Sequence, residues 1–140
     1  MTTLAVSTLT KALSDLLTEA YDGPPDPRST WFIDNEPDSG ILGTLKNVSA
    51  AEVSRSVDGS GKPGSTIAAN VEHLRWSLAN ANGALRGQPY QANWKESWAL
   101  LDADETKWAA LLVALHSEYK TLRDAVRTQQ DLQDEYLLGV

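Results

Sequence analysis

Two stretches of this chain repeat apolar residues at alternating steps of three and four, and this repeat constrains the fold more strongly than any other feature. The first stretch, 65–87, carries Ile67, Val71, Leu74, Leu78, Ala81 and Leu85, and the second carries Trp108, Leu111, Leu112, Leu115, Tyr119, Leu122 and Val126. Such steps place residues on one face of an α-helix, and a long seam is typical of helices that pack lengthwise in a bundle. The sequence therefore predicts an all-α, bundle-like fold.

A third helix is predicted near the N-terminus, from Thr3 to Tyr21. Its apolar residues follow the same steps and are Leu4, Leu9, Leu13, Leu16, Leu17 and Ala20. Gly23 and the prolines after it stop this helix, because proline lacks the backbone N–H that a helix interior needs. The loop that follows contains Trp31 and Phe32. We expect these aromatic side chains to be buried, since a long loop needs anchors to hold one conformation.

Helix starts are marked by residue pairs whose spacing allows a capping box, in which two side chains satisfy free backbone N–H groups. These pairs are Ser49 with Glu52, Asn93 with Glu96, and Asp102 with Glu105. They predict a short helix after Ser49, a short turn that holds Trp94 and Trp98, and the start of the last long helix. Ser65 is the expected cap of the long helix in between.

Length, charge and composition limit the class of protein further. The 140 residues fit one domain, 1–140, with one hydrophobic core. The absence of cysteine excludes disulfides and thiolate nucleophiles. No apolar run reaches the roughly 20 residues that span a bilayer, and no signal peptide is evident, so we expect a cytoplasmic protein without a membrane partner. The formal net charge of -7 repels phosphate, so we expect no nucleic-acid partner.

His73 lies in a polar stripe of the helix predicted over 65–87. At about 100° per residue, Asn70, His73, Ser77 and Asn80 share this stripe on the flank of the apolar seam, and Trp76 falls opposite the seam. A flank position can face the bundle interior or water. His73 is therefore a metal ligand, a catalytic base or a plain polar residue, and spacing alone favours the last of these.

The other histidine, His116, lies beside the seam of the last long helix. A site that joins it to His73 across facing helices is conceivable, but a metal would need a third ligand such as Glu72, Glu118 or Asp124. The sequence has no HExxH motif, no phosphate-binding glycine loop before a helix and no nucleophile elbow. Spacing alone therefore identifies no catalytic site.

Five tryptophans are many for a chain of this length, and they are Trp31, Trp76, Trp94, Trp98 and Trp108. Their spread along the chain favours large side chains that fill the core and anchor loops. The alternative interpretation is that some of them line a pocket.

Four segments together carry a family resemblance: "LGTLKNVSAAEVSRSV", "GSTIAANVEHLRWSLANANGALRG", "WKESW" and "DADETKWAALLVALHSEYKTLRDAV". They resemble the DinB-like family, which is also grouped with YfiT-like metal-dependent hydrolases. The resemblance implies an up-and-down four-helix bundle. It also implies a divalent metal such as zinc or nickel, held by one histidine of the second long helix and two histidines one turn apart in the last helix. His73 matches the first of these ligands.

The chain departs from this family pattern at its end. No final helix with a His-x-x-x-His pair is present, and "DEYLLGV" resembles only the start of such a helix. The sequence is therefore interpreted either as a truncated product or as a natural variant that lost the site. One histidine cannot hold zinc with useful affinity, so we expect an incomplete metal site without a bound metal. Helices built for a missing partner would expose an apolar strip, which predicts a homodimer.

Two functions remain open after the sequence analysis, and whether the chain is an enzyme is not decided. The resemblance implies a metal-assisted hydrolase or thiol-dependent transferase, with His73 as the surviving ligand and Asn70, Ser77 and Trp76 as pocket walls. The alternative is a binding or interaction module that uses the same bundle without catalysis.

Overall fold

The fold of the described residues, 5–129, is all-α in a computed structural model of the chain. The helices are α1 (Val6–Asp22), α2 (Ile41–Leu45), α3 (Ala50–Val53), α4 (Ile67–Leu85), α5 (Trp94–Ser97) and α6 (Glu105–Thr128). In this part of the chain the sole β-type pairing is an isolated bridge between Ser56 and Thr66. None of its helices combines the length and the apolar character that crossing a membrane would require. The all-α prediction is confirmed, while the segment "DEYLLGV" lies outside the described residues.

Helix α6 lies between α1 and α4 and forms the centre of the packed helices. Four of the residues predicted for its seam are buried, and they are Trp108, Leu111, Leu115 and Tyr119. Leu115 is fully inaccessible to solvent, and burying a leucine side chain stabilises a fold by roughly 1.5–3 kcal/mol. The seam prediction for the last long helix is therefore confirmed at its centre.

Helix α4 is covered on more sides than its predicted seam. Val71 and Leu78 of the seam are buried, but so are Ala68, Asn82 and Ala84 at other angles around the helix. The reason is that α4 packs against α6 on one side and against α5 on another. A residue on the flank of the α4 seam is therefore able to face protein instead of water.

The buried face of α1 differs from the predicted one. Leu13 and Leu16 belong to the predicted seam, yet they are 42% and 37% exposed. The residues that point inwards are Thr10, Ser14, Leu17 and Tyr21, again at steps of four and three. The helix prediction was correct, and Leu17 and Ala20 of the predicted face do pack against the core. The predicted face was wrong at Leu13 and Leu16, because the packing position of α6 decides which stripe of α1 is covered.

The loop after α1 is organised by a carboxylate. Trp31 and Phe32 are 78% and 57% exposed, so the expectation that they are buried was wrong. Glu19 of α1 is buried instead, and its Oε1 accepts backbone N–H bonds from Trp31 at 2.6 Å, Phe32 at 3.0 Å and Ile33 at 3.3 Å. Burial raises the pKa of Glu19, but these three donors outweigh it and bring the pKa below its ordinary value.

Two of the predicted helix starts behave differently in detail. Ser49 and Glu52 form the complete capping box that their spacing predicted. Helix α5 begins at Trp94 as predicted, but the Asn93 side chain makes no capping hydrogen bond within the described residues. The short helix is therefore held in place by its tertiary contacts.

Two other predicted caps were wrong by one or two positions. Thr66, and not Ser65, caps α4, because the Thr66 hydroxyl accepts the backbone N–H of Ala69 at 3.1 Å. Asp104, and not Asp102, caps α6 by accepting a backbone N–H at 2.8 Å. Neighbouring residues of similar capping ability compete for the position, and the path of the preceding loop decides between them.

Candidate functional site

The His73 side chain lies inside a group of aromatic rings where α4 meets α5. We call this group the aromatic cluster; its members are His73, Trp76, Tyr90, Trp94 and Trp98. His73 and Trp76 are three residues apart on α4, and Trp94 and Trp98 are four residues apart around α5. Residues at these spacings lie on the same side of a helical turn, so each pair faces the other.

The His73 ring is stacked on Trp98. The two ring centroids are 3.8 Å apart and their planes differ by 10°. Trp94 contributes a tilted contact at 5.6 Å between centroids. Gly64 makes room for this stack, because a Cβ there would lie 3.2 Å from the Trp98 ring and its φ of +84° also favours glycine. The ring of His73 is thus held between fixed neighbours.

Ser97 determines which nitrogen of His73 carries the proton. The Ser97 side chain is fully buried, and its hydroxyl donates to the backbone carbonyl of Trp94 at 2.7 Å. A serine hydroxyl has one proton, so it can only accept from His73 Nδ1, which lies 2.9 Å away. The neutral imidazole therefore carries its proton on Nδ1 and keeps a lone pair on Nε2. That lone pair can accept a hydrogen bond or bind a metal.

A groove lies beside Trp76. Its volume is about 360 Å³, and its lining includes Trp76, Asn80, Gly83, Gln88 and Gln91. Asn80 ties two parts of the lining together, because its amide both donates to the Gln91 carbonyl at 3.4 Å and accepts the Gln91 N–H at 2.9 Å. Among residues 5–129, no charged side chain lines this groove. The groove therefore suits uncharged polar or apolar groups.

The other two predicted pocket residues on α4 are Asn70 and Ser77. Asn70 is exposed, and its amide donates to the carbonyls of Gly64 at 2.9 Å and Thr66 at 2.8 Å. This residue therefore stabilises the turn before α4. Ser77 is half-buried and lies one turn along α4 from His73. Of the predicted pocket walls, Trp76 contributes a ring contact with His73, with centroids 6.3 Å apart.

His116 lies in a different part of the molecule. It is exposed on α6 and lines a separate cavity of about 460 Å³, together with Asp22, Asp38 and Lys46. Its ring lies 6.5 Å from that of Tyr119, between centroids. The structure thus shows two histidines in two distinct surroundings.

Each carboxylate considered as a third metal ligand is engaged with another side chain. Glu72 accepts two hydrogen bonds from Arg75, at 2.6 and 2.7 Å. Glu118 accepts from the Asn82 amide at 2.7 Å, and Asp124 accepts from Arg123 at 3.0 Å. Within residues 5–129, no three histidine, aspartate or glutamate side chains form a group that could hold a metal ion.

No protein-family model, curated protein or solved structure matches this chain. The resemblance to the DinB-like family therefore stays a prediction. The function has to be inferred from the chemistry of the aromatic cluster itself.

Sequence analysis did not identify Tyr90 and Ser97 as members of the site. Tyr90 lies in a loop without periodicity, and the Ser97 hydroxyl matters only because α5 packs against α4.

The tryptophans were interpreted either as core and anchoring side chains or as walls of a pocket, and each interpretation applies to some of them. Trp108 belongs to the core and donates its indole N–H to the Val48 carbonyl at 2.9 Å, whereas Trp76, Trp94 and Trp98 surround His73.

Proposed function

We propose that this chain is a DinB-like bundle that binds a small molecule at the aromatic cluster, with His73 as the polar contact. One observation carries the proposal: Ser97 and Trp98 hold the His73 ring in one orientation and leave Nε2 with a lone pair. Small-molecule sites typically combine aromatic walls with a few fixed polar groups. The cluster has this composition, and the groove beside Trp76 adds volume next to it.

The state of the nearby carboxylates favours binding without metal chemistry. Each candidate carboxylate is already oriented by a hydrogen-bonding partner, and within residues 5–129 no three such ligands come together. For Glu72 that partner is Arg75, whose guanidinium forms two parallel hydrogen bonds with it, an arrangement that is stronger than a single hydrogen bond. The binding module is therefore our first proposal.

A metal-assisted hydrolase or thiol-dependent transferase is the second proposal, and the hydrogen bond of His73 favours it. Metal-binding histidines usually donate their other ring N–H to a second group, which orients the ring. In His73 the Nδ1–H is donated to the Ser97 hydroxyl, which orients the ring. A bound zinc or nickel ion would lower the pKa of a water or thiol at the site. Its remaining ligands would have to come from outside residues 5–129 or from another molecule.

We also propose that the chain forms a homodimer. Leu13 and Leu16 lie one turn apart on α1 and are both exposed, as is Val113 on α6. Exposed apolar groups of this kind favour association when they form a contiguous patch. The net charge of -7 supports a protein partner over nucleic acid.

A fragment screen with nuclear magnetic resonance detection tests the first proposal. The indole N–H signals of Trp76, Trp94 and Trp98 report on the cluster, and the buried Trp108 provides an internal control. We expect fragments that shift the three cluster signals and leave Trp108 unchanged, with binding lost in His73→Ala. Fragments that bind with equal affinity to the wild type and to His73→Ala would contradict the proposal.

Calorimetry with zinc and nickel separates the two proposals. If the metal-dependent function is correct, the chain binds either ion with micromolar affinity or better, and His73→Ala abolishes binding. If the chain is a binding module, neither protein binds the ions while the fragments still bind. Ser97→Ala is a useful second variant, because it keeps the imidazole but removes the group that orients it.

A further inference from the structure

The outer rings of the aromatic cluster face one another at wide angles. Trp76 and Trp94 have centroids 5.3 Å apart and planes 50° apart. Tyr90 lies 6.4 Å from each of them, with interplanar angles of 79° to Trp76 and 53° to Trp94. These distances and angles are those of rings that pack edge to face or tilted, so the three ring planes lean at wide angles to one another instead of forming a parallel stack. We call these three rings the aromatic cage.

The dimensions of the aromatic cage fit a cation. The three centroids form a triangle with sides of 5.3, 6.4 and 6.4 Å. A point above this triangle can lie about 4.5 Å from every centroid, which is within the ≈ 6 Å over which a ring face attracts a cation. Each ring face carries partial negative charge, so three of them together favour a positive group over a neutral one.

The aromatic cage is open to solvent. Tyr90 and Trp94 are each 49% exposed, which is a large exposure for aromatic side chains in contact with one another. Within the described part of the chain, the cation that lies over an aromatic ring is Arg123, 5.4 Å from the centroid of Tyr119 in another region of the molecule. No lysine or arginine of residues 5–129 therefore occupies the faces of the cage.

Charge favours a cationic occupant as well. The formal net charge of -7 creates a negative potential around the whole protein, which attracts cations and repels anions. The groove next to Trp76 has amide side chains from Gln88 and Gln91 and no charged lining residue. It suits the uncharged polar end of a ligand whose charged end is bound in the cage.

We propose that the aromatic cage binds a small free organic cation of the quaternary ammonium class, with choline as the simplest probe. This inference rests on the proposed small-molecule-binding function and specifies the chemical class of its ligand. The methyl groups of a quaternary ammonium contact the rings without losing hydrogen bonds to water, because such a cation has no N–H donor. The hydroxyl end would extend along the groove beside Trp76.

A pair of isosteric ligands tests this inference. Choline and 3,3-dimethyl-1-butanol have the same shape, but the second has a carbon in place of the charged nitrogen. Tryptophan fluorescence of the full chain is titrated with each compound, and we expect choline to bind about tenfold more tightly, as the cation–π contribution predicts. Equal binding of the two compounds would overturn the inference, because the contact would then be merely hydrophobic.

Matched variants locate the binding site. Trp94→Leu removes one wall of the cage and should abolish choline binding, whereas Trp31→Leu removes an exposed tryptophan elsewhere and should leave it unchanged. Tyr90→Phe keeps the ring and should bind choline with similar affinity, while Tyr90→Leu should not. Circular dichroism confirms that each variant is folded before it is titrated. Choline binding that survives Trp94→Leu in a folded protein would overturn the inference.

The two proposals fail in distinguishable ways. If choline does not bind but neutral fragments still shift the cluster signals in a His73-dependent manner, the quaternary ammonium inference is wrong and the binding function stands. If neither choline nor any fragment binds at the cluster, both are wrong.

Discussion

Two loops of this protein each bring aromatic residues close to a long helix, and they are held in opposite ways. The loop around Trp31 and Phe32 is fastened through its backbone, by the buried carboxylate of Glu19 on α1, and its aromatic rings extend into solvent. The segment around Trp94 and Trp98 is fastened through its rings, which pack on His73 and Trp76 of α4. Aromatic content alone therefore does not show how a loop is anchored.

This difference has a functional consequence. In the first loop the polar group is the Glu19 carboxylate. Its Oε1 accepts three backbone N–H bonds and thereby holds the loop. In the second region the polar group is His73. Its Nδ1 is hydrogen-bonded to Ser97, and its Nε2 takes no part in that bond. The second region therefore combines a fixed position with unused chemical capacity, as a binding site requires.

The largest expected effect comes from removing a ring that anchors the second segment. Trp98→Ala should lower the free energy of unfolding by about 2–3 kcal/mol, because the half-buried Trp98 stacks on His73 and fills the space above Gly64. Trp31→Ala should change it by no more than about 0.5 kcal/mol, since that ring is in water. Urea denaturation measures both values. Similar losses of unfolding free energy in the two variants would contradict the claim that the two loops are anchored in different ways.

The next effect concerns the carboxylate that holds the first loop. Glu19→Gln should lower the melting temperature at pH 7 by several degrees, because an amide oxygen accepts the three N–H bonds more weakly than a carboxylate does. The pKa of Glu19 in the folded protein lies below its ordinary value of 4.5. The Glu19 carboxylate therefore contributes its full stabilisation above pH 4.5. This stabilisation is lost as the pH falls through the pKa of the folded protein.

The melting temperatures of the wild type and Glu19→Gln should accordingly approach each other as the pH is lowered below 4.5. Asp26→Asn is a suitable control, because its carboxylate lies on the exposed surface of the same loop and pairs with Arg28. A difference between the wild type and Glu19→Gln that stays constant down to pH 3 would contradict the role assigned to this carboxylate.

A smaller effect is expected from the hydroxyl that orients His73. Ser97→Ala should cost about 1 kcal/mol, the usual contribution of a hydrogen bond, and should release the tautomer preference of His73. The ¹⁵N chemical shifts of the imidazole distinguish Nδ1–H from Nε2–H directly. We expect the Nδ1–H form in the wild type and a mixture in the variant. A dominant Nε2–H form in the wild type would contradict the assignment.

The smallest effect on stability is expected at the exposed leucines of α1. Leu16→Gln should change the free energy of unfolding by no more than about 0.5 kcal/mol, because Leu16 is 37% exposed in the single chain. If the proposed homodimer uses this face, light scattering at tens of micromolar should show a dimer for the wild type and a monomer for the variant. A monomeric wild type would exclude the dimer.

Local sequence signals predicted the parts of this fold that depend on short-range physics. The seam of α6 is buried at Leu111, Leu115 and Tyr119, and the capping box of Ser49 forms with Glu52. Both outcomes follow from interactions within a few residues of the chain, namely helix periodicity and backbone N–H groups at a helix start. The position of His73 on the flank of α4 could also be predicted in this way.

The candidate site could be predicted only in part. His73 and Trp76 were recognised from the sequence, but Ser97 and Tyr90 were not, because no periodic pattern connects them to α4. Asn70 was placed in the pocket by helical spacing, whereas the structure uses its amide to hold the turn at Gly64. Side chains with several possible partners are assigned by the elements that pack around them.

The sequence by itself determined that this protein is helical, where its long helices run, and that His73 lies beside a packed face. Only the tertiary structure decided which stripe of α1 is buried, that Glu19 anchors the loop at Trp31, and that Ser97 orients the His73 ring. The physical reason is the separation along the sequence over which each interaction acts. Helix periodicity and capping act between neighbours in the chain, but the burial of a face and the partner of a polar group depend on segments that are distant in sequence and adjacent only after folding.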